Sequence, residues 1–164
     1  MLIQALMKDI PFFWDFTEEE RHALVSRNSF FSNHQDGEHI VTEGDEDDAL
    51  FVLLKGEAKV VRTSQPERIL AMLAPGAVIG EISFLTKRKR TTNVIAFGEA
   101  TVFRIDAYSM NRERLDPGLQ TKIKNQLIEL LVSRLEECNK NLLAQKEANV
   151  TLTKALREQV MGER

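Results

Sequence analysis

Glycines spaced between short runs of β-branched and aromatic residues constrain the fold of this chain most. Six of the eight glycines lie between residues 37 and 98, and runs such as Ala49-Leu50-Phe51-Val52-Leu53-Leu54 separate them. Glycines that bound such runs are typical of turns between strands. Many short strands at close spacing favour an antiparallel roll or sandwich over alternating β–α units. We therefore predict an antiparallel β-roll, or jelly roll, over residues 29–106, with these glycines at its turns.

Helical patterns flank the predicted roll, so the fold class is α+β and mainly β. In residues 1–28, Thr17 and Glu20 have the spacing of a capping box, which predicts a helix N-terminus. The aromatic residues before it predict a packed connector, not a loop: Phe12, Phe13, Trp14 and Phe16. Residues 107–164 form a third zone of C-terminal helices.

The C-terminal zone contains a long stretch without a helix breaker. After Asp116-Pro117-Gly118, residues 119–160 contain neither proline nor glycine, which predicts one long helix. On a heptad frame the seam is mostly apolar, and a single asparagine at an a position is typical of parallel two-stranded coiled coils. We predict a homodimer through residues 119–160; the alternative is a helix that folds back on the roll. The a positions are Ile128, Leu135, Leu142, Asn149 and Leu156, and the d positions are Leu131, Cys138, Gln145, Leu152 and Gln159.

Composition excludes several classes of protein. The formal net charge is −3, which argues against a protein that mainly binds nucleic-acid phosphates. No apolar run approaches the roughly 20 residues of a membrane-spanning helix, and the N-terminus lacks the features of a signal peptide. One cysteine cannot form an internal disulfide. We therefore expect a cytoplasmic protein with no membrane partner.

The segment from Gly80 to Thr92 carries the clearest chemical pattern. Gly80 permits a sharp turn after an apolar run, and a short helix that begins at Glu81 would present free backbone amides to an anion. Arg90 follows nine residues later, and a guanidinium can bind two phosphate oxygens at once. A carboxylate beside a phosphate needs another task, such as accepting a hydrogen bond from a sugar hydroxyl. The pattern favours a ligand in which a phosphate adjoins a ribose.

This run resembles the phosphate-binding cassette of cyclic nucleotide-binding domains. That family includes bacterial catabolite activator proteins, regulatory subunits of cyclic-AMP-dependent kinases and cyclic-nucleotide-gated channels. The resemblance rests on Gly80-Glu81-Ile82-Ser83 followed by Arg90-Thr91, and on the earlier segments Gly37-Glu38-His39-Ile40 and Lys55-Gly56-Glu57. It covers roughly residues 5–135.

The resemblance implies a role for each matching residue. Glu81 would accept from the ribose 2′-hydroxyl, and Arg90 would pair with the cyclic phosphate. The amides of Glu81, Ile82 and Ser83, with Thr91, would complete the phosphate site, and Gly80 would permit close backbone approach. Three residues depart from the family's pattern: Lys89 stands where proline is frequent, Thr92 where alanine is usual and Phe84 where an aliphatic residue is common. Thr92 can narrow the pocket, so the identity of the ligand stays open between cyclic AMP and cyclic GMP.

Enzymatic and DNA-binding functions are less well supported. His34 and His39 are five residues apart, which places them on opposite faces of a continuous strand, and cupin metal enzymes need histidines two apart. We expect no catalytic residues, no metal and no cofactor. The zone after residue 116 holds eight Lys and Arg against six Asp and Glu, which does not indicate a basic DNA-binding region. No nucleic-acid partner is expected.

These observations predict a regulatory module that binds a cyclic nucleotide and transmits binding to its C-terminal helices and to an unidentified protein partner. The site would consist of Gly80, Glu81, Ile82, Ser83, Arg90, Thr91 and Thr92. Two alternatives remain: a ligand-free oligomerising scaffold of the same fold, and a fragment of a transcription regulator of the catabolite-activator type.

Overall fold

The computed structural model describes residues 2–27, 30–106, 108 and 115–162. Two helices and a 3₁₀ helix precede the sheet: α1 (Leu2–Lys8), the 3₁₀ turn Pro11–Phe13 and α2 (Glu18–Val25). The strands are β1 (Phe31–His34), β2 (His39–Val41), β3 (Leu50–Val61), β4 (Ala71–Leu73), β5 (Val78–Ile79) and β6 (Asn93–Ile105). Helix α3 (Glu81–Thr86) lies between β5 and β6, and α4 (Pro117–Gly162) follows the sheet.

The six strands form one sheet, built on the two long strands β3 and β6. These strands pair with each other, while β1 and β2 pair with β6 and β4 and β5 pair with β3, all of them antiparallel. Each long strand therefore has different short partners along its two halves. The predicted α+β fold with an antiparallel roll and a long C-terminal helix is confirmed.

Gly56 marks the place where β3 is irregular against β6. The register between the two strands shifts on both sides of Lys55, as it does at a β-bulge. Gly56 has φ +83°, and a Cβ there would lie 2.1 Å from the Glu99 carbonyl oxygen. Only glycine fits this close approach without strain. The prediction that Gly56 and Gly98 lie at turns between strands was wrong, because both lie inside continuous strands.

Apolar side chains fill the inside of the roll, and aromatic side chains form a second cluster beside it. The inner cluster includes Phe51, Leu53 and Val102. In the aromatic cluster, Phe103 of β6 contacts Phe13 edge-on, with ring centroids 5.3 Å apart. The prediction of a packed aromatic connector holds for Phe12, Phe13 and Phe16, which are buried. It was wrong for Trp14, which is 67% exposed.

The capping box predicted at α2 is present and extends to the start of α4. Thr17 Oγ1 accepts from Glu20 N, and Glu20 Oε2 accepts from Thr17 N at 2.7 Å. Lys122 Nζ also donates to Glu20 Oε2 at 2.7 Å and to the Asp15 carbonyl oxygen at 3.0 Å. The hydrogen bond from the Lys122 ammonium is the main reason that the pKa of Glu20 is lowered.

The chain divides into two compact units, residues 1–122 and 123–164. In the second unit the helix is continuous, and the seam side chains Ile128, Leu135, Leu142 and Leu152 are exposed. Cys138 is also exposed and is a free thiol. The seam positions Leu156 and Gln159 lie outside the side chains that the structure describes. Within the described residues, no helix is long and apolar enough to cross a membrane.

Candidate ligand-binding site

Helix α3 begins at a glycine in the left-handed conformation. Gly80, at the N-cap, has φ +83° and ψ +16°. A Cβ at this position would lie 2.9 Å from the Ala49 carbonyl oxygen and 2.0 Å from Nη1 of Arg90. Glycine therefore serves both the turn and the close approach of a guanidinium.

Arg90 is buried beside this turn, with its side chain 2% exposed. Nη1 donates to the Gly80 carbonyl oxygen at 3.2 Å, and Nη2 donates to the Ala49 carbonyl oxygen and to Asp47 Oδ2, the latter at 3.1 Å. The guanidinium carbon lies 5.7 Å from the centroid of the Phe51 ring. Nε is buried and has no hydrogen-bond partner within the described part of the chain. A buried N–H without an acceptor is costly, so this donor indicates a place where an anion or other acceptor would bind.

Two charged segments meet at Arg90. We call residues 87–90 the basic arm and residues 45–48 the acidic turn. Arg90 N donates to the Asp45 carbonyl oxygen and Gly44 N donates to the Arg90 carbonyl oxygen, each at 2.9 Å. Lys87 pairs with Asp48, and Lys89 pairs with Glu46 at 3.3 Å. Each of Glu46, Asp47 and Asp48 therefore pairs with a residue of the basic arm, so the acidic turn is held against the arm by three ion pairs.

Asp47 is shared between two arginines. Its Oδ2 accepts from Arg90, and its Oδ1 accepts from Arg104 Nη2 at 3.3 Å. Arg104 also donates to Asp106 Oδ2 at 2.7 Å and lies 5.9 Å from the Phe51 ring centroid. Phe51 and Arg104 are direct cross-strand neighbours, which explains this contact. Asp47 and Arg104 were absent from the predicted site; the complementary charges of residues 45–48 and 87–90 were the signal that could have indicated Asp47.

The other predicted site residues are placed unevenly. Glu81 and Ser83, in the first turn of α3, are buried, whereas Ile82 is 52% exposed. Thr91 is exposed and Thr92 is half-buried. The structure thus brings Gly80 into direct contact with Arg90. Glu81 follows Gly80 and is the first residue of α3. The resemblance implies a role only for the backbone amide of Ile82, and an exposed side chain is compatible with that role.

A polar network anchors the chain where the arm returns to the sheet. The amide of Asn93, at the start of β6, accepts from Glu43 N at 2.9 Å and donates to Thr63 Oγ1 at 3.0 Å. Thr63 N donates to Glu43 Oε2, and this hydrogen bond is the main reason that the pKa of Glu43 is lowered. Asn93 therefore connects the end of the segment that carries Arg90 to two neighbouring loops. Among the residues described, no group of three or more His, Cys, Asp or Glu is placed to hold a metal ion.

Comparison with known proteins identifies the family that this fold and site define. The family model for the cyclic nucleotide-binding domain matches residues 32–114, just over half of the chain. The chain therefore belongs to the cyclic nucleotide-binding domain family. The predicted family resemblance is confirmed.

The chain is similar to known proteins both in sequence and in structure. The chain is 30% identical over 143 residues to the cyclic AMP receptor protein of Thermus thermophilus, covering 83% of this chain and 62% of that protein. It is 28% identical over 110 residues to the CRP-like cAMP-activated global transcriptional regulator of Mycobacterium tuberculosis, covering 65% of this chain and 47% of that protein. The crystal structure of a cyclic nucleotide-binding domain from Methylobacillus flagellatus superposes with a TM-score of 0.65 at 26% identity, covering 87% of this chain and 82% of that one. The chain spans about half to two thirds of the length of these two curated relatives.

Proposed function

We propose that this chain is a regulatory module that binds a cyclic nucleotide, cAMP or cGMP, between the start of α3 and Arg90. The single observation that carries the proposal is the buried guanidinium of Arg90, whose Nε has no partner in the described chain and which lies against Gly80. A cyclic phosphate is a monoanion whose oxygens suit a guanidinium and the backbone amides at the start of a helix. Arg90 would pair with the phosphate, and the amides of Glu81, Ile82 and Ser83 with Thr91 would surround it. Glu81 would accept from the ribose hydroxyl, and Thr92 would face the pocket.

The second ion pair of Asp47 lowers the energetic cost of such binding. Arg90 is paired with Asp47, so an arriving phosphate competes with that carboxylate for the guanidinium. The Asp47 side chain is only partly exposed, at 37%, so losing its cationic partner would destabilise the site. Because Asp47 also accepts from Arg104, it keeps a cationic partner when Arg90 turns to the phosphate.

We further propose that the module acts as a homodimer through residues 119–160. The exposed apolar side chains at the a and d positions would be covered by the same positions of a second copy. Binding in the first unit would be coupled to the C-terminal helices and to an unidentified protein partner. Couplings of this kind are typically worth about 1–3 kcal/mol. The Mycobacterium tuberculosis relative is a cAMP-activated global transcriptional regulator, so a module of this kind within a longer transcription regulator is the second candidate.

The ligand-free scaffold is the competing function of a different class. In a scaffold, Arg90 would serve only to hold Asp47, Ala49 and Gly80 together, and no small anion would reach it. The deciding experiment is mass spectrometry of the protein purified under native conditions, followed by calorimetric titration with cAMP and with cGMP. Saturable binding of either nucleotide supports the sensor. If no nucleotide co-purifies and neither cAMP nor cGMP gives a heat of binding, the sensor is refuted and the scaffold function is supported.

A further inference from the structure

We infer that Lys87 and Asp48 are positioning residues that latch the basic arm onto the acidic turn and so hold Arg90 ready for its ligand. The inference rests on the proposed function for its binding readout, and it adds to that function two residues outside the predicted phosphate contacts. Arg90 is the last residue of the arm, so whatever fixes the arm also fixes the origin of its side chain.

The backbone of Lys87 supplies the first argument. Lys87 has φ +58°, and it is the one non-glycine residue with a positive φ among the residues that the structure describes. The left-handed conformation is unfavourable for an L-residue with a Cβ, so it persists where surrounding contacts fix it. Lys87 lies at the C-cap of α3, where the arm leaves the helix.

The side chain of Lys87 supplies contacts that fix this conformation. Its ammonium pairs with Asp48 across the two loops and lies 5.7 Å from the centroid of the Phe84 ring. The backbone N–H of Lys87 donates to the Ser83 carbonyl oxygen at 2.9 Å. One side chain thus connects α3, the arm and the acidic turn.

The second ion pair of the latch is weaker. Lys89 and Glu46 are 67% and 79% exposed, whereas Lys87 and Asp48 are 54% and 34% exposed. Exposed pairs are strongly screened by salt and contribute little. We therefore assign the positioning role to Lys87 and Asp48 and treat the outer pair as an addition.

Removal of the Asp48 charge distinguishes a positioning role from a purely electrostatic one, because the two predict opposite changes in the rate of ligand release. Neutralising an acid near an anion site should strengthen the binding of an anion and slow its release, if charge alone matters. If Asp48 holds the arm, Asp48→Asn should instead accelerate release. The expected size is roughly two- to fivefold in the dissociation rate, the range that corresponds to one partly exposed ion pair.

The experiment measures dissociation of a fluorescent cyclic AMP analogue from the full chain by stopped flow. Asp48→Asn should speed release at low salt, and the difference from the parent should shrink at about 1 M salt, where the Debye length is about 3 Å. Lys87→Gly should also speed release, although glycine relieves the strained backbone. The swap Asp48→Lys with Lys87→Asp should restore the parent rate, because aspartate tolerates the left-handed conformation. Glu67→Gln, an equal loss of negative charge on an exposed hairpin, is the matched control and should leave the rate unchanged.

Hydrogen exchange tests the latch without ligand. The Arg90 and Gly44 amides join the arm to the turn, and Asp48→Asn should increase their exchange rates roughly two- to fivefold in the ligand-free protein. Faster exchange in a protein that binds no cyclic nucleotide would keep the latch and refute the proposed function. Normal nucleotide binding with unchanged or slower release in Asp48→Asn, and unchanged exchange at these amides, would refute the latch and keep the function.

Discussion

The carbonyl oxygen of Gly80 accepts a hydrogen bond from Arg90 Nη1 at 3.2 Å, and the missing side chain of Gly80 leaves the space that this guanidinium occupies. The turn that starts α3 and the residue proposed to bind the phosphate are therefore one geometric unit. A change at either residue should be felt at the other.

Gly80→Ala should weaken cyclic-nucleotide binding at least tenfold. The new methyl group would lie 2.0 Å from Nη1 of Arg90 and 2.9 Å from the Ala49 carbonyl oxygen, and the φ of +83° adds strain of about 1–2 kcal/mol. Calorimetric titration gives the affinity, and thermal unfolding gives the accompanying loss of stability. Gly98→Ala is the control, because Gly98 has a similar φ of +77° with open space around its Cβ position. An unchanged affinity in Gly80→Ala would separate Gly80 from the site.

Arg90→Ala should weaken nucleotide binding by about 2–5 kcal/mol, the usual cost of truncating one partner of a buried charge pair. Arg88→Ala removes the same charge from an exposed position of the same arm and should change the affinity little. Calorimetry with cAMP and cGMP measures both variants, and circular dichroism confirms that each is folded. Equal affinities for Arg90→Ala and the parent would remove Arg90 from the site.

The proposed parallel homodimer predicts a specific disulfide. Cys138 is exposed and occupies a d position, which lies opposite its own copy when two helices pair in parallel and in register. Mild oxidation should therefore convert the chain to a covalent dimer on non-reducing electrophoresis, and Cys138→Ser should abolish it. The yield should not depend on dilution over the range in which light scattering reports a dimer.

Asn149 provides the companion test of register. Asn149→Leu should change the oligomeric state or helix register while leaving nucleotide affinity nearly intact, since a buried asparagine at an a position specifies the dimer. Size-exclusion chromatography with light scattering measures the change. A monomeric parent protein would refute the coiled-coil proposal.

The bulge at Gly56 predicts an unusually costly glycine substitution. Gly56→Ala combines a φ of +83° with a Cβ position 2.1 Å from a backbone oxygen, which cannot move without shifting β6. We expect the free energy of unfolding to fall by more than about 3 kcal/mol in total. The left-handed conformation alone accounts for about 1–2 kcal/mol of this loss. Urea denaturation followed by circular dichroism measures it. A loss no larger than that of Gly98→Ala would show that the strands separate easily at this point.

The Lys122–Glu20 contact predicts a pH-dependent term in stability. The pKa of Glu20 is lowered in the folded chain, so its contribution is present above the unfolded value of about 4.3 and is lost as the pH falls through the folded pKa. Glutamine also completes a capping box, so Glu20→Gln removes mainly the charge that faces Lys122. It should destabilise the protein by about 0.5–1 kcal/mol at pH 7, and the difference from the parent should vanish in acid. Glu18→Gln, whose partner Lys8 is half-exposed, should cost less than about 0.5 kcal/mol. A pH-independent difference would mean that the Glu20 side chain acts through packing alone.

Local signals predicted the elements whose causes are local. The capping box follows from the spacing of Thr17 and Glu20, and the unbroken helix follows from the absence of glycine and proline. The positions of Gly56 and Gly98 were not predicted, because glycine marks bulges as well as turns and only strand pairing distinguishes them.

Partners that are distant in sequence escaped prediction for a different reason. Asp47 and Arg90 are 43 residues apart, and a charged run in a loop looks solvated until the fold shows what lies beside it. Arg104 was hidden inside a strand pattern, and its contact with Asp47 depends on the register of β3 against β6. The nucleotide roles of Glu81, Thr91 and Thr92 stay predictions.

The exposed indole of Trp14 determines which optical methods suit this protein. The sequence contains a single tryptophan, and in the folded chain it is already two-thirds in water. Unfolding will therefore change its emission little, so an intrinsic-fluorescence melt would have a small amplitude. Circular dichroism is the better measure of unfolding, because it reports on the sheet built on β3 and β6.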